Sequence, residues 1–135
     1  MSRKLKVLFI NDSKDFNAVA TYMIERRGHE VLVILGVKSI SDESLVGLTD
    51  GPDVTVSLRD YDIAFVDGQL PGSFCGWDIV PHLLHAGLVC IASSSSNESN
   101  QRMAALGAQV VYDTVKDQLA EVLEKAASLR NGNQQ

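Results

Sequence analysis

Residues 61–72 read YDIAFVDGQLPG. The four residues Ile63–Val66 are all apolar, and such a run between polar neighbours is typical of a strand buried on both faces of a parallel sheet. Asp67 follows the run directly, and Gly68 with the Leu-Pro-Gly at 70–72 indicates that the chain turns there. The segment therefore predicts a buried strand that presents a carboxylate at its carboxyl end.

Further apolar runs lie on both sides of this segment and alternate with longer stretches of helical period. The other predicted strands are residues 6–10, 30–35, 88–92 and 109–112. The predicted helices are residues 15–27, 77–85 and 97–106, followed by a last helix with the apolar stripe Leu119, Val122, Leu123 and Ala126. This alternation predicts an α/β fold, a doubly wound five-stranded parallel sheet with helices on both faces.

Residues 36–61 are the least regular part of the chain, because glycines and a proline interrupt them. The sequence Ser-Asp-Glu at 41–43 is a typical helix start, so we expect a short helix from Asp42. The alternating polarity of residues 54–58 predicts an additional edge strand.

Length and composition indicate one globular domain. The chain has 135 residues, of which 45% are hydrophobic and 21% charged, as in ordinary soluble domains. We expect residues 1–129 to form the domain, and residues 130–135, with nothing apolar to bury, to form a flexible tail.

The net charge of −5 and the absence of a basic cluster argue against direct nucleic-acid binding. The first apolar run is too short for a signal peptide or membrane span, so we expect a cytoplasmic protein without membrane insertion.

The cysteines and two of the histidines offer no convincing site. Cys75 and Cys90 fall short of a disulfide framework and lack the spacing of a zinc site, so we expect free thiols. His82 and His85 stand three residues apart, a spacing that can ligate a metal, but no third ligand is evident in the sequence. We therefore interpret them as surface histidines.

Polar residues follow three of the predicted strands. Asn11 and Asp12 follow the first strand, Asp67 follows the third, and Ser93 follows the fourth, with strand phase favouring Ser93 over Ser94. Ligands of open parallel sheets bind outside the carboxyl ends of the strands. A single aspartate there is often only a cap or turn residue, but two carboxylates at one edge are oxygen ligands of the kind that Mg²⁺ prefers.

Three segments together resemble a known family. KVLFINDS at 6–13, YDIAFVDGQLPG at 61–72 and VCIAS at 89–93 resemble, in order and interval, the receiver domain of two-component response regulators. The resemblance covers nearly the whole chain and implies a flavodoxin-like sheet of strand order 2-1-3-4-5. It implies that Asp67 is the phosphoacceptor, that Asp12, Asp67 and the main-chain carbonyl of Gln69 are Mg²⁺ ligands, and that Ser93 holds a phosphoryl oxygen.

The chain departs from this family at two places. Asn11 stands where the family usually has a second acid, so the site has one carboxylate fewer, and Asn11 is left as a ligand through water. The usual lysine is displaced: its place falls on Thr114, and Lys116 stands two positions later without the following proline. Two interpretations of Lys116 stay open, a phosphate contact and a solvated residue beside Asp113 or Asp117.

The resemblance implies a signalling function. We expect a phosphorelay module that accepts a phosphoryl group from a histidine kinase or phosphotransfer protein and acts on a downstream protein target, with a homodimer left open. Such a module is no enzyme beyond its own phosphorylation and dephosphorylation. The alternative is a pseudo-receiver, which binds partners without phosphorylation. A third class, an α/β enzyme or nucleotide binder, is disfavoured because no glycine-rich phosphate loop follows any strand.

Overall fold

The computed structural model describes residues 4–114 and 116–132. Its strands in chain order are β1 (Lys6–Ile10), β2 (Glu30–Ile34), β3 (Gly36–Ile40), β4 (Ser44–Leu48), β5 (Val54–Ser57), β6 (Ile63–Val66), β7 (Val89–Ala92) and β8 (Val110–Val111). Five of them form a parallel sheet of order β2-β1-β6-β7-β8. These are the five strands expected from the sequence, in the expected order 2-1-3-4-5.

The helices of the central fold also lie where the sequence predicts them. They are α1 (Lys14–Arg26), α2 (Gly76–His85), α3 (Asn97–Ala105) and α4 (Leu119–Gly132). Side chains of α1 and α4 pack on one face of the sheet around Phe9 and Phe65, and side chains of α2 and α3 pack on the other face. The doubly wound architecture is therefore confirmed.

The prediction of a short helix from Asp42 is wrong. Asp42 lies in the turn between β3 and β4, where Ser41 N donates to Ser44 O over 2.8 Å and Ser41 Oγ accepts from the N–H groups of Glu43 and Ser44. A serine that bonds the backbone two and three residues ahead favours a turn as readily as a helix cap. The burial of Ser44–Leu48 alternates from one residue to the next, as in a strand with one face on the core.

The additional strand expected at 54–58 exists but does not lie at the edge of the central sheet. It is β5, which pairs antiparallel with β4, and β4 pairs antiparallel with β3. The three strands form a separate sheet, which we call the meander. The meander packs on the same face of the central sheet as α2, because its buried side chains Val37, Leu45 and Val56 share one apolar cluster with Ile79, Val80 and Leu83.

The meander is joined tightly to the carboxyl end of β2. Leu35 alone separates β2 from β3, and its N–H donates to Leu48 O over 2.7 Å. Gly47 lies directly against Ile34, since a Cβ at Gly47 would come within 2.7 Å of Ile34 Cγ2. The end of β4 is therefore held at the same edge of the structure as the end of β2.

The end of the chain differs from the expected boundary. α4 continues to Gly132, so residues 130–132 are helical and not part of a tail, and Arg130 Nε donates to Asp62 Oδ1 over 3.2 Å. The rest of the expected tail, residues 133–135, lies outside the described residues. No helix within the described ranges has both the length and the apolar character needed to cross a membrane.

We predict that Gly47→Ala destabilises the protein by about 1–3 kcal/mol, because the added methyl group would overlap Ile34 and lift the meander from the core. Urea unfolding monitored by circular dichroism measures the change. Gly51→Ala is the matched control, since a Cβ at Gly51 meets only Thr49 Oγ1 at 3.9 Å; it should stay within about 0.5 kcal/mol of the parent. Equal stabilities of the two variants would contradict the packing described for Gly47.

Candidate site at the carboxyl edge of the central sheet

The polar residues singled out after three of the strands meet in one cavity of about 330 Å³. The strand register brings them together, because Ile10 is level with Val66 and Val66 is level with Ala92. The residues that follow these three therefore leave the sheet side by side. The lining residues are Asn11, Asp12, Ser13, Phe16, Asp67, Ser93, Ser95 and Thr114.

Asp67 is the partly buried acid of this cavity. Its N–H donates to Ile10 O over 2.9 Å, which continues the ladder between β1 and β6 by one residue. Burial raises the pKa of its carboxyl above the ordinary value, and the negative charge of Asp12 adds to the rise. Hydrogen bonds from the Ser94 hydroxyl and from the N–H groups of Gly68 and Gln69 favour the ionised form and oppose the rise in pKa.

The segment after Asp67 packs closely at two glycines. Gly76 N donates to Gly68 O over 2.7 Å at the start of α2. A Cβ at Gly76 would collide with the carbonyl of Asp67, and a Cβ at Gly68 would come within 2.5 Å of Ser99 Cβ. Glycine is therefore required at both positions, because the backbone that carries the Asp67 carboxylate is closely packed there.

Asn11 and Asp12 occupy different environments although they are neighbours. Asn11 is buried, its Oδ1 accepts from Ser13 N over 2.9 Å, and its carbonyl accepts from Asn17 Nδ2 over 2.7 Å. Asp12 is exposed at the mouth of the cavity. The side-chain amide of Asn11 thus stabilises the turn that leads into α1, and Asn11 also lines the cavity.

Two serines follow β7, and the structure divides their roles. Ser93 Oγ is buried in the cavity wall and has no hydrogen-bond partner among the described residues. The hydroxyl of Ser94, and not that of Ser93, interacts with the Asp67 carboxylate and lowers its pKa. The backbone of Ser94 is held on both sides by the amide of Asn100, with N···Oδ1 2.8 Å and Nδ2···O 2.9 Å. Strand phase favoured Ser93 over Ser94, but β7 ends at Ala92, so the phase of the strand does not extend to either serine.

The displaced lysine does not line the cavity. Thr114 does, at the place where the resemblance expects a lysine, whereas Lys116 is exposed and its N–H bonds Asp113. No lysine or arginine of the described chain contributes to the cavity wall. The phosphate-contact role of Lys116 and the metal-ligand role of the Gln69 carbonyl stay predictions.

The remaining candidates form no second site. Cys75 and Cys90 are free thiols, as expected, and burial raises the pKa of Cys90 to about 12. His82 Nδ1 lies 2.7 Å from Asp42 Oδ1 near the surface. Among the described residues, no group of three histidine, cysteine, aspartate or glutamate side chains is arranged to hold a metal ion. A cation at the cavity would therefore depend on two carboxylates together with carbonyl and water oxygens.

Comparison with known proteins relates the chain to one fold. No protein-family model matches it, and no curated protein sequence does. Among solved structures, the receiver domain of Francisella response regulator 1452 superimposes with a TM-score of 0.67 at 15% identity, covering 96% of this chain and 99% of that one. A two-component response regulator from Clostridium difficile gives 0.66 at 14% identity, with coverages of 96% and 99%.

A third solved structure is similar over the same length. The signal receiver domain of a modulated diguanylate cyclase from Desulfovibrio desulfuricans G20, described as an example of alternate folding, gives a TM-score of 0.63 at 19% identity and covers 97% of this chain and 99% of that one. The chain therefore has the receiver fold, as the sequence segments indicated. At these identities the likeness concerns the fold alone.

We predict that Asp67→Asn stabilises the folded protein at neutral pH. The raised pKa means that the native state holds the Asp67 proton to higher pH than the unfolded chain does, so ionisation costs native stability as pH rises through that window. Below pH 3.8, the ordinary pKa of the group, both states are protonated and the advantage of asparagine should vanish. Urea midpoints of both proteins across this pH range test the sign. An advantage that does not change with pH would contradict it.

Proposed function

We propose that this chain is a phosphoacceptor receiver domain of two-component signal transduction and that Asp67 accepts the phosphoryl group. The observation that carries the proposal is the single cavity in which Asp67, Asp12 and the unpartnered hydroxyl of Ser93 converge. The receiver fold supports it, because it accounts for this convergence through the register of β1, β6 and β7.

The proposed reaction uses few groups. A carboxylate oxygen of Asp67 forms a bond to phosphorus while the bond from phosphorus to a histidine nitrogen of the donor breaks, and the imidazole keeps the electron pair and takes up a proton. Ser93 Oγ, which has no partner among the described residues, donates to a phosphoryl oxygen. Hydrogen bonds from the N–H groups of Gly68 and Gln69 favour the ionised form of the Asp67 carboxylate, which is the nucleophilic form. Phosphoryl transfer mainly requires positioning and charge neutralisation, so no separate general base is needed.

The donor atoms at the cavity fit Mg²⁺. They are oxygens, and Asp12 is exposed and close enough for its charge to affect the pKa of Asp67. We assign Asp12, Asp67 and the carbonyl of Gln69 as ligands, with Asn11 contributing through water. When bound, the ion offsets the repulsion between the carboxylate and the incoming phosphoryl group. Binding would also lower the pKa of Asp67, because a nearby cation favours the ionised form.

The proposed partners follow from this role. A histidine kinase or phosphotransfer protein donates the phosphoryl group in the cytoplasm, and a protein target reads the phosphorylated state. The chain catalyses nothing beyond its own phosphorylation and dephosphorylation. The net charge of −5 makes direct contact with nucleic acid unfavourable, so the output passes through a protein.

A pseudo-receiver is the second candidate function, and specific observations favour it. Asn11 replaces an acid, Thr114 takes the place of the lysine, and no cationic side chain of the described chain lines the cavity. Such a module would bind its partner through the same fold without accepting phosphate. Phosphorylation by a small phosphodonor separates the two candidates.

We predict that acetyl phosphate with Mg²⁺ adds one phosphoryl group to the protein and that Asp67→Ala removes this addition. Intact mass spectrometry measures the product. Asp60→Ala is a suitable control, because Asp60 is an exposed aspartate at the opposite end of β6. Labelling of Asp67→Ala at the parent level would refute the assignment, and an unlabelled parent protein would favour the pseudo-receiver.

We also predict that Asn11→Asp binds Mg²⁺ more tightly than the parent protein. The change adds a carboxylate to the cavity wall, and a charge at a partly solvated site contributes on the order of 1 kcal/mol, or about fivefold in affinity. The same charge should lower the melting temperature without metal, because three carboxylates then repel one another. Calorimetric titration with Mg²⁺ and melting with and without the ion measure both effects. A variant with unchanged affinity and melting temperature would show that position 11 does not act on the metal.

A further inference from the structure

The turn between β4 and β5, residues 49–53, is the rim loop of the candidate site. Its position follows from the meander, because Leu48 is paired with Gly36 directly beyond the end of β2. A Cβ at Gly36 would come within 3.1 Å of Pro71 O, in the segment that follows Asp67. The rim loop therefore begins at the carboxyl edge of the central sheet, beside the cavity.

An ion pair ties the rim loop to the start of α1. Lys14 Nζ lies 2.7 Å from Asp50 Oδ1, and both side chains are 69% exposed. Lys14 is the first residue of α1 and follows Ser13, and both Ser13 and Asp12 line the cavity. An exposed pair of this kind contributes little to stability, so Lys14 can leave Asp50 when a stronger negative charge is near.

A second ion pair holds the same loop from β3. Lys38 Nζ, on β3, lies 3.1 Å from Asp53 Oδ2. Within the loop, the Thr49 hydroxyl accepts from Gly51 N over 3.0 Å and donates to Pro52 O over 2.8 Å. The rim loop thus has internal hydrogen bonds and two ion pairs to the rest of the protein. Only the Lys14–Asp50 pair involves a residue that directly follows a cavity-lining residue, Ser13.

Phosphorylation would change the charge beside Lys14. An acyl phosphate carries about two negative charges where the Asp67 carboxylate carried one. No lysine or arginine of the described residues lines the cavity to meet this charge. A lysine side chain two residues from Asp12 is long and flexible enough to turn from the rim loop toward the cavity.

We propose that Lys14 is a phosphate-responsive latch: it pairs with Asp50 while Asp67 is unmodified, moves to the phosphoryl oxygens when Asp67 is phosphorylated, and so releases the rim loop. The inference rests on the phosphoacceptor function proposed above. It makes Lys14 the cation that Thr114 does not supply, and it makes the meander, through the rim loop, a surface that changes with phosphorylation.

The test uses the full chain with acetyl phosphate and Mg²⁺. In the labelling step the Asp67 oxygen bonds phosphorus, the phosphorus–oxygen bond to the acetyl group breaks, and acetate leaves with the electron pair. Intact mass gives the labelling rate, and hydrogen exchange of a peptide spanning 44–57 reports on the rim loop. In the parent protein, exchange in this peptide should increase as the label appears.

The variants separate a latch from a merely structural ion pair, because the two partners should respond in opposite directions. Lys14→Gln should label about threefold to fivefold more slowly, since the phosphoryl group loses its cation. Asp50→Asn frees Lys14 and should label at least as fast as the parent. Both variants should show rapid exchange at 44–57 without the phosphodonor and no further increase with it.

Lys38→Gln is the matched control. It removes the other ion pair of the same loop but should label at the parent rate, because neither Lys38 nor its chain neighbours line the cavity, whereas Lys14 follows the lining residue Ser13. Equal labelling rates of Lys14→Gln and Asp50→Asn would overturn the latch, as would a labelled parent protein whose exchange at 44–57 is unchanged. A parent protein that gains no mass would overturn the phosphoacceptor proposal and the latch with it.

Discussion

The level register of β1, β6 and β7 is the constraint on which the candidate site depends. Ile10, Val66 and Ala92 are neighbours across three hydrogen-bonded strands, so the residues that follow them leave the sheet at one edge. A shift by one residue would turn each strand's side chains to the opposite face and separate Asp67 from Asp12. Every side chain of β6 and β7 is buried, which makes such a shift costly and holds the site in place.

Burial of the sheet also sets the electrostatics of the site. Asp67 lies where the apolar strand ends, deep enough that burial raises its pKa and near enough to Asp12 that the second charge adds to the effect. Hydrogen bonds from the Ser94 side chain and from the backbone of Gly68 and Gln69 lower the pKa of Asp67 and only partly offset this rise. Negative charge at this site is therefore unfavourable, and a nearby cation or a change in the protonation of Asp67 would affect it strongly.

The meander is the largest difference between the structure and the arrangement expected from the sequence. It covers part of one face of the central sheet, where its strands pack with α2, and the contact of Gly47 with Ile34 keeps it close. Because β4 ends beside β2, the meander brings acidic residues of the rim loop to the edge where the site lies. The packing of the meander therefore decides which charges the rim loop brings close to the cavity.

The resemblance to receiver domains implied the strand order of the central sheet. The sequence patterns by themselves determined its five strands, the four helices within a few residues, and the positions of Asp12, Asp67 and Ser93. These follow from short-range patterns, since buried parallel strands are apolar throughout and polar residues at their ends mark one edge. Only the tertiary structure decided that residues 36–57 form a second sheet, because the Ser41 signal fits both a turn and a helix start and packing against Ile34 makes the choice. It alone also placed the Ser94 hydroxyl near enough to Asp67 to affect its pKa and paired Lys14 with Asp50, since contacts between loops depend on where distant strands end and leave no periodic trace in the chain.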